Sequence, residues 1–354
     1  MKKVAFLTGV TGQDGSFLAE FLLDKDYSVY GLTRICSESK HERIEHLKSH
    51  KNFYMVAGDL TDSSRIDSII KSLSHHEVIE VYNLGAQSHV HLSFDNPEYT
   101  ANVDALGTLR ILEAIHNTGC CEKYRFYQAG TSEMFGKIKE QLQNEDTPFH
   151  PRSPYGVSKV FGYWITKNYR ESYNMFACTG ILFNHESERR GENFVTRKIT
   201  LGLNEYLTKG TPIEIGNIYS KRDWGYAKDY VEAMWMMLQQ DKPEDFVIST
   251  GETHSIKEFI EMCLDELDIP YRWDDDGSCI DTRLDDSHKF GHCAKEGIPR
   301  TICRINPEFF RPAEVDILIG DYSKAKEKMG WEPKTSLKEL VKIMLKNDVH
   351  YYTR

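Results

Sequence analysis

The stretch Val4-Ala5-Phe6-Leu7-Thr8-Gly9-Val10-Thr11-Gly12-Gln13-Asp14-Gly15 decides the fold. Its first five residues are mostly apolar and predict a buried parallel strand, whereas the residues after Gly15 have apolar side chains at helical spacing. Glycines between a strand and a helix allow backbone amides to approach a pyrophosphate, whose charge the helix N-terminus favours. The spacing of Gly9, Gly12 and Gly15 differs by one residue from the usual dinucleotide-binding motif, so an ordinary glycine-rich turn is the alternative.

Four further strands are predicted in the first half of the chain. Apolar runs at 27–33, 53–60, 78–88 and 124–130 alternate with segments of helical periodicity. This alternation predicts an α/β fold, a doubly wound parallel sheet of the Rossmann type, with its ligand at the carboxyl ends of the strands. A smaller, interleaved α/β lobe is expected to follow, because the apolar run at Val247 predicts a late strand near the sheet.

Arg34 follows the second strand, where a cofactor that lacks a 2′-phosphate would meet an aspartate or glutamate. A cation at this position fits a phosphate better than a hydroxyl, so we favour NADP over NAD. A solvated surface arginine is the alternative. After the third strand, Asp59 and Leu60 are expected to reach the adenine edge of the cofactor.

A candidate catalytic group follows the fifth strand. Thr131, Ser132 and Glu133 come at its carboxyl end, and Tyr155 and Lys159 lie four residues apart at the start of a predicted helix. Residues four apart share a helix face, so the Lys159 ammonium, with an oxidised nicotinamide, is expected to lower the pKa of Tyr155 from about 10 toward neutrality. Tyr155 would then serve as a base, although such pairs also occur by chance in helices.

Composition excludes several classes of protein. The chain has 354 residues and a formal net charge of −10, which argues against nucleic acid as a partner. No apolar run is long enough to cross a bilayer and no signal-peptide pattern is present, so we expect no membrane association. The cysteines have no paired spacing, which favours reduced thiols and a cytoplasmic location. No metal site is expected, because His288, His292, Cys293 and Cys303 fit no usual zinc spacing.

Longer strings carry a family resemblance. The glycine loop, Asp59-Leu60 and Tyr155-x-x-x-Lys159 resemble the extended short-chain dehydrogenase/reductases, and Thr131-Ser-Glu133 narrows this to the nucleotide-sugar 4,6-dehydratases. Further strings resemble the GDP-mannose 4,6-dehydratase family over nearly the whole chain. They are Thr8-Gly-Val-Thr-Gly-Gln-Asp-Gly-Ser16, Gly85-Ala-Gln-Ser-His-Val90, Phe183-Asn-His-Glu-Ser187, Arg189-Arg-Gly-Glu-Asn-Phe-Val-Thr-Arg-Lys198 and Phe310-Arg-Pro-Ala-Glu-Val-Asp316.

The resemblance implies a hydro-lyase that converts a GDP-linked manno-configured sugar to its 4-keto-6-deoxy product with a recycled NADP. Tyr155 would take the C4 hydroxyl proton while Thr131 binds the same oxygen, and Glu133 would remove the C5 proton and help the C6 hydroxyl leave. Ser132 would assist as a hydrogen-bond donor. The implied cofactor contacts are Gly9, Thr11, Gly12, Gln13, Asp14, Gly15, Arg34, Asp59, Leu60, Leu84, Ala86, Ser88, Tyr99, Lys159, His185 and Arg190. The implied substrate contacts are Ser88, Asn184, Glu186, Asn193, Val195, Lys198, Arg222, Arg311 and Glu314.

The resemblance also implies two interleaved domains and a homodimer or homotetramer. Residues 1–182 would bind NADP, with 219–250 returning to that domain, and 183–218 with 251–354 would bind the GDP-sugar. Residues 272–304 depart from the family pattern, which leaves a GDP-linked manno-heptose as an alternative substrate. A GDP-sugar 4-dehydrogenase or epimerase would have no need of Glu133, and a non-catalytic sensor would have no need of Tyr155 and Lys159.

Overall fold

The computed structural model describes residues 3–34, 41–137, 142–284, 301–310 and 317–350. The strands in this part of the chain are short, and most are buried. In chain order they are β1 (Val4–Thr8), β2 (Ser28–Thr33), β3 (Phe53–Ala57), β4 (Ile79–Asn83), β5 (Tyr124–Ala129), β6 (Phe176–Leu182), β7 (Asn184–Glu186), β8 (Ile213–Ile215), β9 (Lys221–Arg222), β10 (Trp224–Tyr226), β11 (Phe246–Ile248), β12 (His254–Ser255), β13 (Tyr271–Trp273), β14 (Cys279–Asp281) and β15 (Thr301–Ile305).

Helices connect most of these strands. The described α-helices are α1 (Gln13–Asp24), α2 (Ser63–Leu73), α3 (Val90–Asp95), α4 (Pro97–Thr100), α5 (Leu106–His116), α6 (Pro154–Tyr173), α7 (Val195–Lys209), α8 (Ala227–Gln239), α9 (Ile256–Glu266), α10 (Ser323–Met329) and α11 (Leu337–Asp348). A π-helical turn, Ala101–Ala105, joins α4 to α5. Short 3₁₀ turns cover Glu42–Leu47, Cys121–Lys123, Ser132–Met134, Thr282–Leu284 and Pro307–Phe309. None of these helices is long and apolar enough to span a membrane.

The central sheet has seven strands in the order β11-β6-β5-β4-β1-β2-β3, and every pair in it is parallel. The chain first builds outward from β1 to β3 and then crosses back to β4 on the other side of β1. This reversal confirms the predicted doubly wound sheet, and it opens a crevice beyond the carboxyl ends of β1 and β4. The strand predicted at Val247 is β11, which pairs with β6 at the sheet edge.

Two apolar cores cover the two faces of this sheet. One contains α1 and α8, and the other contains α2 and α5. Strand residues such as Phe6 and Leu7 alternate between the two cores, as expected when both faces of a parallel sheet are buried. The sheet is thereby held rigidly, and its strand ends are fixed relative to one another.

A third core lies in the second half of the chain. It joins α7, α9 and α11 to a four-stranded sheet of order β13-β14-β15-β8. These strands were not predicted, because strands of three to five residues show no clear alternation and their partners lie far away in the sequence. Directly opposite one another in β14 and β15 are the buried thiols Cys279 and Cys303.

Capping side chains start several of the helices. Ser153 accepts a hydrogen bond from Gly156 N at 3.0 Å and Pro154 is the first residue of α6, which explains where this helix begins. A capping box starts α9, because Ser255 and Glu258 each accept a hydrogen bond from the other's backbone amide. Ser336 and Glu339 do the same for α11.

Candidate active site

The glycine loop after β1 forms a tight cradle at the crevice. Gly9 has φ +68°, and a Cβ atom there would lie 2.8 Å from Gly85 N in the loop after β4. A Cβ on Gly15 would lie only 2.2 Å from Gly9 O. Glycine is therefore required by the left-handed backbone at one position and by close packing at the other.

Buried polar side chains tie the strand ends around this loop. Thr8 Oγ1 donates to Asn83 Oδ1 at 2.7 Å and accepts from Gly85 N at 2.9 Å. Asn83 Nδ2 in turn donates to Gln128 Oε1 at 2.8 Å, which links β1, β4 and β5 in series. Each of these polar groups would cost free energy if it were left unpaired, so the network fixes the edge of the crevice.

A cavity of about 480 Å³ lies over this edge. Among the sequence-predicted cofactor residues, only Lys159 and His185 do not line it. The predicted residues in its lining are Gly9, Thr11, Gly12, Gln13, Asp14, Gly15, Arg34, Asp59, Leu60, Leu84, Ala86, Ser88, Tyr99 and Arg190. Residues from six separate segments of the chain therefore converge on one space.

Sequence reasoning missed other residues of this lining. Thr8 and Leu32 lie at or near the carboxyl ends of β1 and β2, so their position along a strand could have indicated them. Val103 comes from the π-helical turn, and His41 follows the undescribed segment 35–40. No pattern in the sequence marks either residue, because only the fold brings them to the cavity.

The candidate catalytic residues converge beside the end of β5. Thr131, Ser132, Glu133, Tyr155 and Lys159 are all buried. Thr131 Oγ1 accepts from Glu133 N at 3.3 Å, which holds the turn after β5, and the Thr131 side chain lies close enough to Tyr155 to lower its pKa, against burial. A Cβ on Gly156 would lie 2.8 Å from Glu133 O, so the lack of a side chain lets α6 approach this turn.

Lys159 lies on the same face of α6 as Tyr155. Its Nζ atom is 5.7 Å from the centre of the Tyr155 ring and donates to Ala129 O at 3.0 Å. In the chain alone, however, burial raises the pKa of Tyr155, and the carboxylates of Asp104 and Glu133 raise it further. The predicted lowering depends on an oxidised nicotinamide as well as on Lys159, and it stays a prediction for the cofactor-bound protein.

His185 holds the glycine loop in place and does not line the cavity. Its Nε2 atom is 2.8 Å from Asp14 Oδ2, and its Nδ1 atom is 2.7 Å from Phe183 O. The Asp14 carboxylate raises the pKa of His185, against burial, and the His185 ring lowers the pKa of Asp14, again against burial. Gln13 Nε2 also donates to His185 O at 3.0 Å, so the loop is fastened at two adjacent residues.

The predicted substrate residues are less uniformly placed. Glu186 is buried and committed to Thr196 and to Arg190, whose Nε atom is 3.0 Å away. Lys198 Nζ lies 3.5 Å above the Phe309 ring, and Arg222 is buried in β9. Asn184 is on β7, Val195 begins α7, and Asn193 is exposed just before it. Arg311 and Glu314 lie outside the described residues.

No group of three histidine, cysteine, aspartate or glutamate side chains suited to a metal occurs in the described ranges. His288, His292 and Cys293 lie outside those ranges. Cys303 faces Cys279 instead, and both thiols are free.

The chain is similar to known proteins over almost its whole length. The family model for GDP-mannose 4,6 dehydratase matches residues 6–344. The chain belongs to the GDP-mannose 4,6-dehydratase family. It is 54% identical over 354 residues to GDP-mannose 4,6 dehydratase from Drosophila melanogaster, covering 98% of this chain and 86% of that protein. The family member from Yersinia enterocolitica serotype O:8 is 51% identical, with 99% and 94% covered, and the human member is 48% identical, with 98% and 92% covered.

Solved structures share the fold at much lower identity. A UDP-glucose 4-epimerase from Thermotoga maritima, solved with UDP-glucose, has a TM-score of 0.77 and 24% identity, covering 97% of this chain and 98% of that one. A dTDP-glucose 4,6-dehydratase from Bacillus anthracis, in complex with NAD, has a TM-score of 0.75 and 17% identity, with 98% and 96% covered. These similarities confirm the Rossmann-type architecture for this member of the family.

Proposed function

We propose that this chain is an NADP-dependent hydro-lyase that dehydrates GDP-mannose to its 4-keto-6-deoxy product. The observation that carries the proposal is the buried Glu133 beside Thr131 and Tyr155, next to a cavity suited to a dinucleotide. The family relatives near 50% identity are named for the same reaction. An epimerase or plain dehydrogenase needs the tyrosine but has no use for the carboxylate.

The cavity fits a nicotinamide dinucleotide. Side chains at Gly9 and Gly15 would fill the glycine cradle, so it is shaped for a group that approaches backbone amides closely. Arg34 lines the cavity, and its Nη1 atom lies 3.2 Å from Tyr99 Oη, so a guanidinium is available there to a 2′-phosphate, which supports our choice of NADP. A bound nicotinamide would supply a reversible hydride acceptor for the oxidation at C4 of the sugar and the reduction at C6.

Tyr155 and Thr131 act at the sugar C4 hydroxyl. Tyr155 takes the hydroxyl proton, and Thr131, whose side chain lies close enough to lower the pKa of Tyr155, binds the same oxygen. Since burial raises the pKa of Tyr155, nearby positive charge must stabilise the phenolate. Lys159 supplies one such charge from the same helix face.

Glu133 acts at the neighbouring carbons. The new C4 ketone acidifies the C5 proton, which Glu133 removes and then delivers to the departing C6 hydroxyl, so that water leaves. The proton that Tyr155 took from C4 replaces the one lost from C5, and the atoms balance as loss of one water. Ser132 assists as a further donor from the same turn.

The test is Glu133→Gln with GDP-mannose. The amide preserves shape but cannot take the C5 proton, so we expect product formation to fall by about 10²- to 10⁴-fold while absorbance of the reduced cofactor remains measurable. Tyr155→Phe is the matched variant, which should lose both signals. Mass spectrometry of the product, with GDP-mannose and separately with a GDP-linked manno-heptose, identifies the true substrate by the loss of one water. Full dehydration by Glu133→Gln would reject the assigned role.

For the GDP-sugar we propose the second lobe, residues 183–218 and 251–354, against a cofactor domain of 1–182 and 219–250. Lys198 and Arg222 are cations suited to a diphosphate. Asn184 lies on β7, Asn193 lies just before α7, and Val195 is the first residue of α7. Glu186 forms an ion pair with Arg190 and so holds that arginine in place. Arg311 and Glu314 complete the proposed substrate set.

We also propose a cytoplasmic homo-oligomer, either a dimer or a tetramer. The six described cysteines are free, which suits a reducing compartment. On α6, Val157, Phe161 and Trp164 form an exposed apolar stripe, with Trp164 54% exposed. Large apolar side chains at helical spacing on one face favour contact with a second copy of this helix.

A further inference from the structure

Asp104 is a buried carboxylate that the proposed reaction leaves unused. It lies in the π-helical turn Ala101–Ala105, which packs against α6, and only 2% of it is exposed. Its Oδ1 atom accepts from Gln87 N at 2.7 Å. Its Oδ2 atom is buried and has no hydrogen-bond partner among the described residues. Such π-helical turns occur frequently at functional sites.

This arrangement is costly for the fold. Burial raises the pKa of Asp104 to about 6, although Lys159 and the Gln87 amide act in the opposite direction. Near neutral pH the carboxylate is therefore mostly ionised, with one oxygen unsatisfied in the protein interior. A neutral side chain could accept the hydrogen bond from Gln87 N equally well. The free-energy cost of burying the carboxylate therefore indicates a role other than stabilising the fold.

Lys159 is the cation whose charge acts on this carboxylate, from the helix α6 against which the π-helical turn packs. It is 4% exposed, and the one bond its Nζ atom makes is to Ala129 O at 3.0 Å among the described residues. Burial lowers the pKa of Lys159, whereas the negative charges of Asp104 and, less strongly, Asp14 raise it. Of the nearby negative charges, the Asp104 carboxylate therefore contributes most to keeping Lys159 protonated.

We propose that Asp104 is a positioning residue that acts through Lys159, holding the lysine as an ammonium ion beside Tyr155. The inference rests on the proposed function, because it concerns the base of that reaction. Asp104 touches neither the sugar nor the cofactor in this role. It sets the charge state of the residue that does.

The charges have opposite effects on the two partners. The Asp104 carboxylate favours the charged form of Lys159 but disfavours the phenolate of Tyr155, which also faces Glu133, Arg190 and the Thr131 hydroxyl. Removing the negative charge should therefore lower the pKa of both Lys159 and Tyr155. Activity requires the tyrosine without its proton and the lysine with it, so both limbs of the pH profile should move in the same direction.

The first test is Asp104→Asn, which keeps an oxygen for the Gln87 amide and removes only the charge. We expect both limbs of the pH profile of kcat/KM for C4 oxidation to move by about one unit toward lower pH. The matched control is Glu80→Gln, at another buried carboxylate, which accepts from Tyr27 Oη at 2.9 Å and Tyr82 Oη at 2.7 Å near the amino-terminal end of β4, away from the site. Its limbs should stay in place. A uniform loss of rate in Asp104→Asn with unmoved limbs would overturn the proposal.

The second test requires no substrate. Thermal unfolding of Asp104→Asn, Lys159→Met and the double variant measures the coupling between the two side chains. Asp104→Asn should raise the melting temperature more in the Lys159→Met background than in the wild type, because the uncompensated carboxylate is then most costly. Equal effects in both backgrounds would refute the coupling. If the wild-type chain fails to turn over GDP-mannose, the proposed function falls while this second result still decides the role of Asp104.

Discussion

At the scale of single residues, the site works through groups whose charge is controlled by burial. Tyr155 and Lys159 are both buried. Desolvation raises the pKa of Tyr155 and lowers the pKa of Lys159, so it favours the neutral form of each side chain. The protein opposes this with a few well-placed charges and bonds. Substitutions that preserve shape but change charge are therefore the most informative tests of the site.

The proposed preference for NADP depends on Arg34. Replacing it with serine should weaken NADP binding by about tenfold to a hundredfold, because a charge-assisted bond to a phosphate contributes roughly 1.5–3 kcal/mol. The NAD affinity should be nearly unchanged. Fluorescence titration with each cofactor measures both values, with Lys48→Ser as a control on an exposed surface pair. Equal losses for the two cofactors would contradict the assignment of the 2′-phosphate.

The Asp14 and His185 pair should make stability depend on pH. The raised pKa of His185 gives stability that is present below its ordinary value of 6.5 and is lost as pH rises through the folded value. The lowered pKa of Asp14 gives stability that is present above 3.8 and is lost as pH falls through its folded value. The pair therefore stabilises the fold most between these limits.

Asp14→Asn tests this window without cofactor. At pH 6 the variant should lose about 1.5–3 kcal/mol of unfolding free energy, the usual contribution of a charged hydrogen bond. Toward pH 9 the difference should shrink, because His185 loses its proton as pH rises through its folded pKa. Denaturant unfolding provides the measurement. Asp67→Asn, in an exposed pair with Lys71, should change little at either pH, and a difference that persists undiminished at pH 9 would count against the ion pair.

At the scale of elements, the start of α1 and the face of α6 place the chemistry. The glycine loop brings the first turn of α1 against β1, and α6 brings Tyr155 and Lys159 to the end of β5. Both approaches depend on missing side chains. Gly15 and Gly156 are the positions where a Cβ atom would strike backbone atoms.

Gly15→Ala should therefore disrupt the loop, because its Cβ would lie 2.2 Å from Gly9 O. We expect a lower melting temperature and loss of copurifying cofactor. Gly162→Ala on α6 is the matched variant, since its nearest neighbour would be Thr108 Oγ1 at 3.4 Å, an ordinary contact. Alanine in a helix interior should raise stability there by up to about 1 kcal/mol. Similar destabilisation of both variants would show that the close approach at Gly15 is not the cause.

At the scale of the whole molecule, the seven-stranded sheet and the segment from β7 to α7 meet at the glycine loop. The sheet supplies the strand ends around the cavity, and the segment from β7 to α7 is bonded to the loop through Gln13, His185 and Ser187. Ligand binding should therefore stabilise the two parts together. The proposed assembly of copies is the next level of organisation.

The exposed stripe on α6 gives a test of that assembly. Trp164→Glu should shift the protein toward a smaller species in light scattering after size-exclusion chromatography, because a charge in an apolar contact is costly. Val78→Glu serves as the control, because Val78 is an exposed apolar residue outside the stripe, immediately before β4. A wild-type monomer, or an unchanged assembly in Trp164→Glu, would exclude this face as the contact.

Much of the fold was predictable because its signals are local. The strands β1 to β5, the long helix α6 and the capping box of α9 follow from apolar runs, spacing and cap residues within a few positions. The short strands β13 to β15 were not predictable. Their three to five residues carry little periodicity, and they are stabilised by partners far away in the chain.

The sequence by itself determined the α/β class, the glycine loop and the types of residue available for catalysis, because these depend on spacing within short segments. Tertiary structure alone decided that the buried Asp104 lies in a turn packed against the helix that carries Lys159, that His185 pairs with Asp14, and that Cys279 lies opposite Cys303. Burial and long-range packing set the electrostatics of a site, and neither is written in local sequence.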